Sequence, residues 1–228
     1  IADNFFTAQE CDAYAALREA EDAGAVHKLE QSATFGGGSG QQVRTSTTWF
    51  ARFQQNPAAT PLLAKAAALL GIPVDDLARF EEPQLVRYQP GQYFNWHYDS
   101  VPTTLLFNGG QRLCTLLVYL NDVPTGGRTA FRDLRAGGTD ESGEARRLQV
   151  VPKKGRAILF SPAHAADGTP DERTLHAGEP TAQGEDKWVA QLWVHQSAYG
   201  ASVPTGSSQA EATEGVREFA REHGLKLS

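Results

Sequence analysis

The chain has 228 residues, 40% of them hydrophobic and 21% charged, and a formal net charge of −6, ordinary figures for one large globular domain or two small ones. That charge offers no general attraction to nucleic-acid phosphate, so no nucleic-acid partner is expected, and no run of about 18 apolar residues exists to cross a membrane as a helix. Two cysteines, Cys11 and Cys114, are too few for a disulfide framework and lack C-x-x-C spacing, so both read as buried apolar filler. The chain begins at Ile1 and contains no methionine. Its natural beginning is therefore expected to be missing, with any signal or anchor, which leaves the compartment open between the secretory-pathway lumen and the cytoplasm.

In chain order, "FFTAQECDAYAALREAEDAG" predicts a helix after a short strand, with Thr7 and Glu10 spaced as a capping box and Gly24 ending the run. "GGGSGQQ" at 36–42 has the composition of a mobile loop of the kind that covers a site. "TPLLAKAAALLG" predicts a second helix, with Thr60 as N-cap, Pro61 in the first turn and Gly71 past the end. From residue 83 the character changes. "PQLVRY", "RLCTLLVYLNDV", "RLQVVP", "GRAILFSP" and "DKWVAQLWVHQ" are rich in Val, Leu and aromatics, bounded by Gly, Pro, Asn or Asp, and predict strands. "RAGGTDESGEARR" at 135–147 predicts a solvated hairpin excursion, and "GASVPTGSSQAEATEG" after Tyr199 reads as a linker. A short amphipathic helix carrying Val216, Phe219 and Ala220 follows it, docked on the domain or frayed. Helices followed by strands predict an α+β fold, with helices on one outer face of a β-sandwich or barrel.

Chemistry concentrates in "YQPGQYFNWHYDS" at 88–100. Side chains at i and i+2 of a strand share a face, so His97 and Asp99 can approach one metal together. Taken alone, His-x-Asp is short enough to arise by accident. His176, in "RTLHAGEP", is the candidate third ligand because it leads into the strand "KWVAQLWV". Two imidazoles and one carboxylate on one face of an octahedral ion leave three positions open, the arrangement of non-haem iron(II) oxygenases. His27 and His223 fall in helical or terminal segments and His164 in a Gly/Pro/Asp-rich loop, and all three read as surface residues. If the reductant is 2-oxoglutarate, its keto-acid end takes two open positions and its distal carboxylate needs a buried cation. Lys187, with Trp188 beside it, is costly on a core strand without an anionic partner; the plain alternative is a lysine facing solvent at a strand start. Trp96, Trp188 and Trp193 suit a site that excludes water, although aromatics at strand spacing are more often plain core.

These blocks together resemble the prolyl 4-hydroxylases, members of the iron(II)/2-oxoglutarate dioxygenases. The matching text is "RYQPGQYFNWHYDS", "NGGQRLCTLLVYLNDVPTGGRTAF", "VVPKKGRAILF", "DGTPDERTLHAGEP" and "DKWVAQLWVHQ", over about residues 83 to 197 in the family's order, and "IADNFFTAQECDAY" resembles its opening strand and helix. The resemblance implies a double-stranded β-helix (jelly roll) core over 83–199, flanked by N-terminal helices over 1–82. These make one catalytic domain over 1–199, with a linker and short helix over 200–228. It implies iron(II) held by His97, Asp99 and His176, with O2 as co-substrate. The distal carboxylate of 2-oxoglutarate would pair with Lys187 assisted by Thr129, with Tyr88 lining the same pocket. Trp193, His195 and Arg112 would contact the substrate, and Arg44 and Ser46, in "VRTSTTWF", a bound peptide.

The activity implied is hydroxylation of peptidyl proline to 4-hydroxyproline in a Pro-rich peptide or protein, with release of succinate and CO2 and with ascorbate as reductant. The alternatives are the same chemistry on another residue, a free amino acid or a small metabolite, and, in a different class, a non-catalytic jelly-roll binding module. A zinc or manganese cupin-like hydrolase gives no reason for Lys187. Departures from the family's pattern are Thr47-Thr48-Trp49 after Arg-Thr-Ser, Arg128 for the usual Glu, Glu179 for the usual Cys and a short loop after Asp99. None touches the expected iron ligands or Lys187; several fall near the expected peptide groove.

Overall fold

The computed structural model describes residues 1–20, 26–30, 43–51, 57–139, 141–200 and 209–228. Gly24, the 36–42 loop and most of the stretch between Tyr199 and the last helix lie outside them. A capping box starts the first helix. In α1 (Ala8–Ala15) the Thr7 hydroxyl accepts from the Glu10 amide at 3.1 Å, and the Glu10 carboxylate accepts from the Thr7 amide at 2.6 Å, satisfying two amides that the helix itself leaves unpaired. The helix then tightens into a 3-10 turn over Ala16–Ala20. In α2 (Thr60–Leu70) Thr60 is the first helical residue rather than the N-cap. A 3-10 turn over Pro57–Ala59 runs straight into the helix, and Ala59 holds the cap position at φ −83°, ψ −18°. Without an extended residue at the start, no hydroxyl is aimed back at the first amides. Gly71, at φ 62°, closes the helix through a left-handed C-cap as expected. The last helix, α3 (Gln209–Glu222), buries Ala212, Val216 and Ala220 and packs on α2 and the turn at 74–79.

The described residues form ten strands: β1 (Val26–Glu30), β2 (Thr47–Ala51), β3 (Gln84–Tyr88), β4 (Phe94–His97), β5 (Arg112–Tyr119), β6 (Thr129–Thr139), β7 (Ala145–Val150), β8 (Ala157–Phe160), β9 (His176–Gly178) and β10 (Lys187–His195). The five predicted segments form β3, β5, β7, β8 and β10 among them. His27 therefore lies on a strand, not in a helical or terminal segment: the first helix ends early enough for β1 to pair with β2. Pairing is antiparallel throughout, in a six-stranded sheet ordered β1-β2-β3-β10-β5-β8 and a four-stranded sheet ordered β4-β9-β6-β7.

Strand alternation decides what each face carries. Along β10, Ala190, Leu192 and Val194 join the core beneath the helices with Leu62, Leu63 and Val216, while Val189 joins a second core between the sheets with Tyr88, Phe94, Tyr119 and Val150. Lys187, Gln191 and Trp193 share the phase of Val189 and are buried, and a bulge follows Val194. The fold is α+β: a jelly roll of two facing sheets, with helices packed on the outer face of the larger one. The outer arms of the β6–β7 hairpin are solvated, as their composition predicts.

Candidate active site

Register builds the first half of the site. His97, last residue of β4, stands directly opposite His176, first residue of β9, and their ring centroids are 4.1 Å apart. Asp99 lies two residues beyond the strand end and reaches back, Oδ1 3.6 Å from His97 Nε2 and Oδ2 3.7 Å from His176 Nε2. The potential ligand atoms of the three side chains all lie within 4.8 Å of one another. His97 Nδ1 is 2.7 Å from the Asn95 carbonyl and His176 Nδ1 is 2.9 Å from that of Thr174. A carbonyl only accepts, so each Nδ1 carries a proton and each Nε2 is the nitrogen that faces Asp99. Two imidazole nitrogens therefore face two carboxylate oxygens at 3.6 and 3.7 Å, an arrangement that fits a metal held by two imidazoles and a carboxylate.

Burial, reinforced by the neighbouring His176 imidazole, lowers the His97 pKa to about 3. At Asp99 burial opposes ionisation, but His176, His97, Arg112 and the Thr115 hydroxyl outweigh it and lower the pKa to about 2. Phe94 stacks on His97 at 3.4 Å, and Phe160 and Phe131 flank His176 at 4.9 and 5.6 Å, holding both rings in place and away from water. Thr115 donates to Asp99 Oδ2 at 2.8 Å and so orients the carboxylate. Thr115→Val is expected to weaken metal binding about tenfold, measured by competition with a chelating dye, because outer partners of metal ligands contribute about 10–100-fold in affinity. Unchanged affinity would show that the hydroxyl does not orient Asp99.

The second half lies at the start of β10. Lys187, opposite Tyr88 in the β3–β10 register, is 2% exposed. Its Nζ sits 4.2 Å from the Tyr88 ring centre and donates to the Gly127 carbonyl at 3.0 Å. No carboxylate forms an ion pair with it among the described residues, and burial lowers its pKa to about 7 despite the field of Glu179. The space beside it is kept open by Gly178, where an added methyl carbon would lie 3.5 Å from Lys187 Nζ and 3.6 Å from the Tyr88 hydroxyl. This cradle ends in a cation without an anion and suits a carboxylate. Thr129, also buried, accepts from the Tyr119 hydroxyl at 2.7 Å. Tyr119, fully buried at the end of β5, was not singled out by the sequence, since a tyrosine closing an apolar strand reads as core.

Arg44 and Ser46 belong with this end. The resemblance implies that they contact a bound peptide, yet they are 5% and 0% exposed. Arg44 Nε donates to Ser46 Oγ at 2.6 Å and Nη2 to Thr48 Oγ1 at 3.0 Å, with the guanidinium 4.8 Å over the Phe94 ring and its charge felt by Tyr88. The residues expected at the substrate side do come together. Arg112 on β5 sits 3.6 Å over the Trp193 ring, donates to the Asp99 carbonyl at 3.2 Å, and grips Glu81 at 2.6 and 3.1 Å. His195 Nε2 lies 2.7 Å from the same Glu81 carboxylate. Burial raises the Glu81 pKa, but Arg112 and His195 outweigh it and hold the carboxyl below its usual range. Sequence reasoning missed Glu81; the available signal was a pair of glutamates, Glu81-Glu82, on the threshold of the apolar strand β3.

Against this geometry, the pattern of the 2OG-Fe(II) oxygenase superfamily matches residues 83–195, a span that holds His97, Asp99, His176 and Lys187. Prolyl 4-hydroxylase 2 of Arabidopsis thaliana is 31% identical over 213 residues, covering 87% of this chain and 67% of its own length. The chain belongs to the prolyl 4-hydroxylase family. As a member it is a 2-oxoglutarate-dependent dioxygenase that uses iron(II) and O2. The viral collagen prolyl hydroxylase of Paramecium Bursaria Chlorella virus-1, solved as its 2OG complex, superposes with a TM-score of 0.62 at 26% identity over 85% of this chain and 93% of its own. A Pseudomonas putida prolyl-4-hydroxylase at 17% identity shares the fold, with a TM-score of 0.55 over 86% of this chain and 90% of its own.

Proposed function

We propose that the chain hydroxylates C4 of peptidyl proline in a Pro-rich polypeptide, with ascorbate as reductant. The observation that carries the reading is the buried Lys187 ammonium, without a carboxylate partner among the described residues, beside Gly178, which lies two residues along β9 from His176. His97, Asp99 and His176 would hold the iron. When bound, iron(II) supplies activation of O2 coupled to decarboxylation of 2-oxoglutarate to succinate and CO2.

The Lys187 ammonium would pair with the distal carboxylate of 2-oxoglutarate, with the Tyr88 and Thr129 hydroxyls lining the same cradle. Phe94, Phe131 and Phe160 exclude water from the imidazoles. On the substrate side, Glu81 would hold Arg112 and His195 in place around Trp193. The Trp193 indole Nε1 is buried with no hydrogen-bond partner in the described structure, a donor that a peptide carbonyl would satisfy. A Pro-rich chain is already extended and loses little freedom on entering such a cleft.

The test is succinate formation from 2-oxoglutarate with iron(II) and ascorbate, against poly-proline, collagen-like, Ser-Pro and Ala-Pro peptides, with Lys187→Ala and His176→Ala as controls. Peptide-stimulated turnover that adds the mass of one oxygen to proline, and co-elutes with 4-hydroxyproline on hydrolysis, is the expected result. Turnover that no peptide stimulates, yet that both substitutions abolish, would keep the dioxygenase and reject proline.

A further inference from the structure

The β6–β7 hairpin carries side chains that the catalytic reading does not use. It borders a cavity of about 800 Å3 lined by Arg128, Arg135, Arg146, Arg147, Glu144 and Gln149 among others, and all four arginines are exposed. Among the described residues the lining holds four arginines and one glutamate, in a chain of net charge −6, while Asp133 and Glu141 flank it along the hairpin. Arg135 and Arg147 are register partners, which sets like charges directly across a strand pair, an arrangement that destabilises a sheet. Asp133, whose carboxylate feels both of them, is committed to Arg132 through hydrogen bonds of 2.7–3.0 Å. Glu144 is in the lining too, and Glu179 borders it, accepting from Gln149 Nε2 at 3.2 Å.

The place of the groove matters as much as its charge. Arg128 immediately precedes Thr129, and Phe131, farther along β6, stands opposite His176. The hairpin therefore leaves the catalytic core beside the metal cluster and projects from it. β7 is the outer strand of its sheet, with an edge that can receive an extended chain. Guanidinium groups bind carboxylates as two-pronged donors.

We propose that this groove binds an acidic stretch of the polypeptide substrate, laid in extended form along β7 and displaced along the chain from the proline that is hydroxylated. The proposal rests on the reading of the protein as a hydroxylase of peptidyl proline, and it adds a docking element outside the cleft. A polynucleotide is the poorer occupant: among the described residues no aromatic side chain lines the groove for bases to stack on.

The test uses two peptides with one proline-containing core, one of them extended by a run of glutamates. Turnover is measured on the full chain and on a variant carrying Arg135→Gln and Arg147→Gln. With the unaltered chain the glutamate extension is expected to lower KM about tenfold at low salt, each exposed charge pair contributing a few-fold, with kcat unchanged. In the double variant the advantage disappears while turnover of the plain peptide stays the same. Equal KM for the two peptides on the unaltered chain would overturn the proposal, as would an advantage that survives in the double variant.

A fluorescein-labelled glutamate peptide without proline, followed by anisotropy, separates this from the parent reading. If neither peptide is hydroxylated, binding that the double variant loses still places an acidic segment in the groove, and no binding removes it. Displacement of the labelled peptide by a lower concentration of an RNA oligonucleotide would assign the groove to nucleic acid instead.

Discussion

Lys187→Met is expected to raise the melting temperature of the chain in the absence of 2-oxoglutarate while abolishing its response to 2-oxoglutarate. A buried charge whose hydrogen bond among the described residues is to the Gly127 carbonyl costs stability, and replacing such groups by apolar residues of similar length gains about 1–4 kcal/mol. For a chain of this size that corresponds to about 2–4 °C per kcal/mol. The pH dependence carries the same signature. Burial depresses the folded pKa of Lys187 to about 7, so the unfolded state binds the extra proton between pH 7 and the ordinary lysine range. Stability of the unliganded chain therefore rises with pH across that window, and the full cost is present below it. The methionine variant lacks this slope. With both chains already loaded with manganese(II), a redox-quiet substitute for iron, adding 2-oxoglutarate stabilises the unaltered chain by about 2.7 kcal/mol at a hundred times Kd and leaves the variant unmoved. A variant less stable than its parent in the absence of 2-oxoglutarate would show that Lys187 is not an uncompensated charge. The same ionisation predicts that 2-oxoglutarate affinity weakens as pH rises above about 7, because binding must then supply the proton.

Asp99→Asn is expected to leave the fold intact and remove the metal. The side chain keeps its shape, and the Thr115 hydroxyl can donate to the amide oxygen as it does to Oδ2 at 2.8 Å, but the negative charge between the two imidazoles is gone. Metal affinity should fall more than about a hundredfold, since altering even the groups that orient such ligands costs about 10–100-fold. Turnover should drop to background. Manganese(II) titration by electron paramagnetic resonance measures the first effect and succinate formation the second. A variant that still binds the ion within a few-fold of the parent would exclude Asp99 as a ligand.

What could be read in advance followed the range of the interactions involved. The Thr7–Glu10 cap acts over three residues, and strand alternation acts over two, so α1 and the two-faced character of β10 are visible in the letters. His97 and Asp99 declare themselves as neighbours, and His176 as the head of a strand. Glu81 does not, because its partners Arg112 and His195 lie 31 and 114 residues away and only the assembled sheet brings them together. Arg44 and Ser46 were assigned to a peptide through the text around them. Their segment is held by a bridge between Arg44 and Phe94 and by hydrogen bonds from Thr45 to Tyr93 and from Asn95 to Val43, about fifty residues along the chain and outside any local text. Thr60 has the residue type of a cap, but the preceding turn at Pro57–Ala59 was already helical and took the position from it.

Strand β10 has Lys187 at one end and Trp193 six residues on, both in the phase that faces the space between the sheets. At about 3.3 Å per residue the two side chains are rooted about 20 Å apart, and the hydrogen-bonded ladders to β3 and β5 on either side keep that interval stiff. On the proposed reading the strand would work as a ruler, with Lys187 as a co-substrate mark and Trp193 as a substrate mark on one rod. Inserting or deleting a single residue between them would turn one mark into the helical core while the other stayed in place. Drift in what the enzyme accepts is thereby confined to side-chain exchange on the ruler and to length changes in the loops and the β6–β7 hairpin around it.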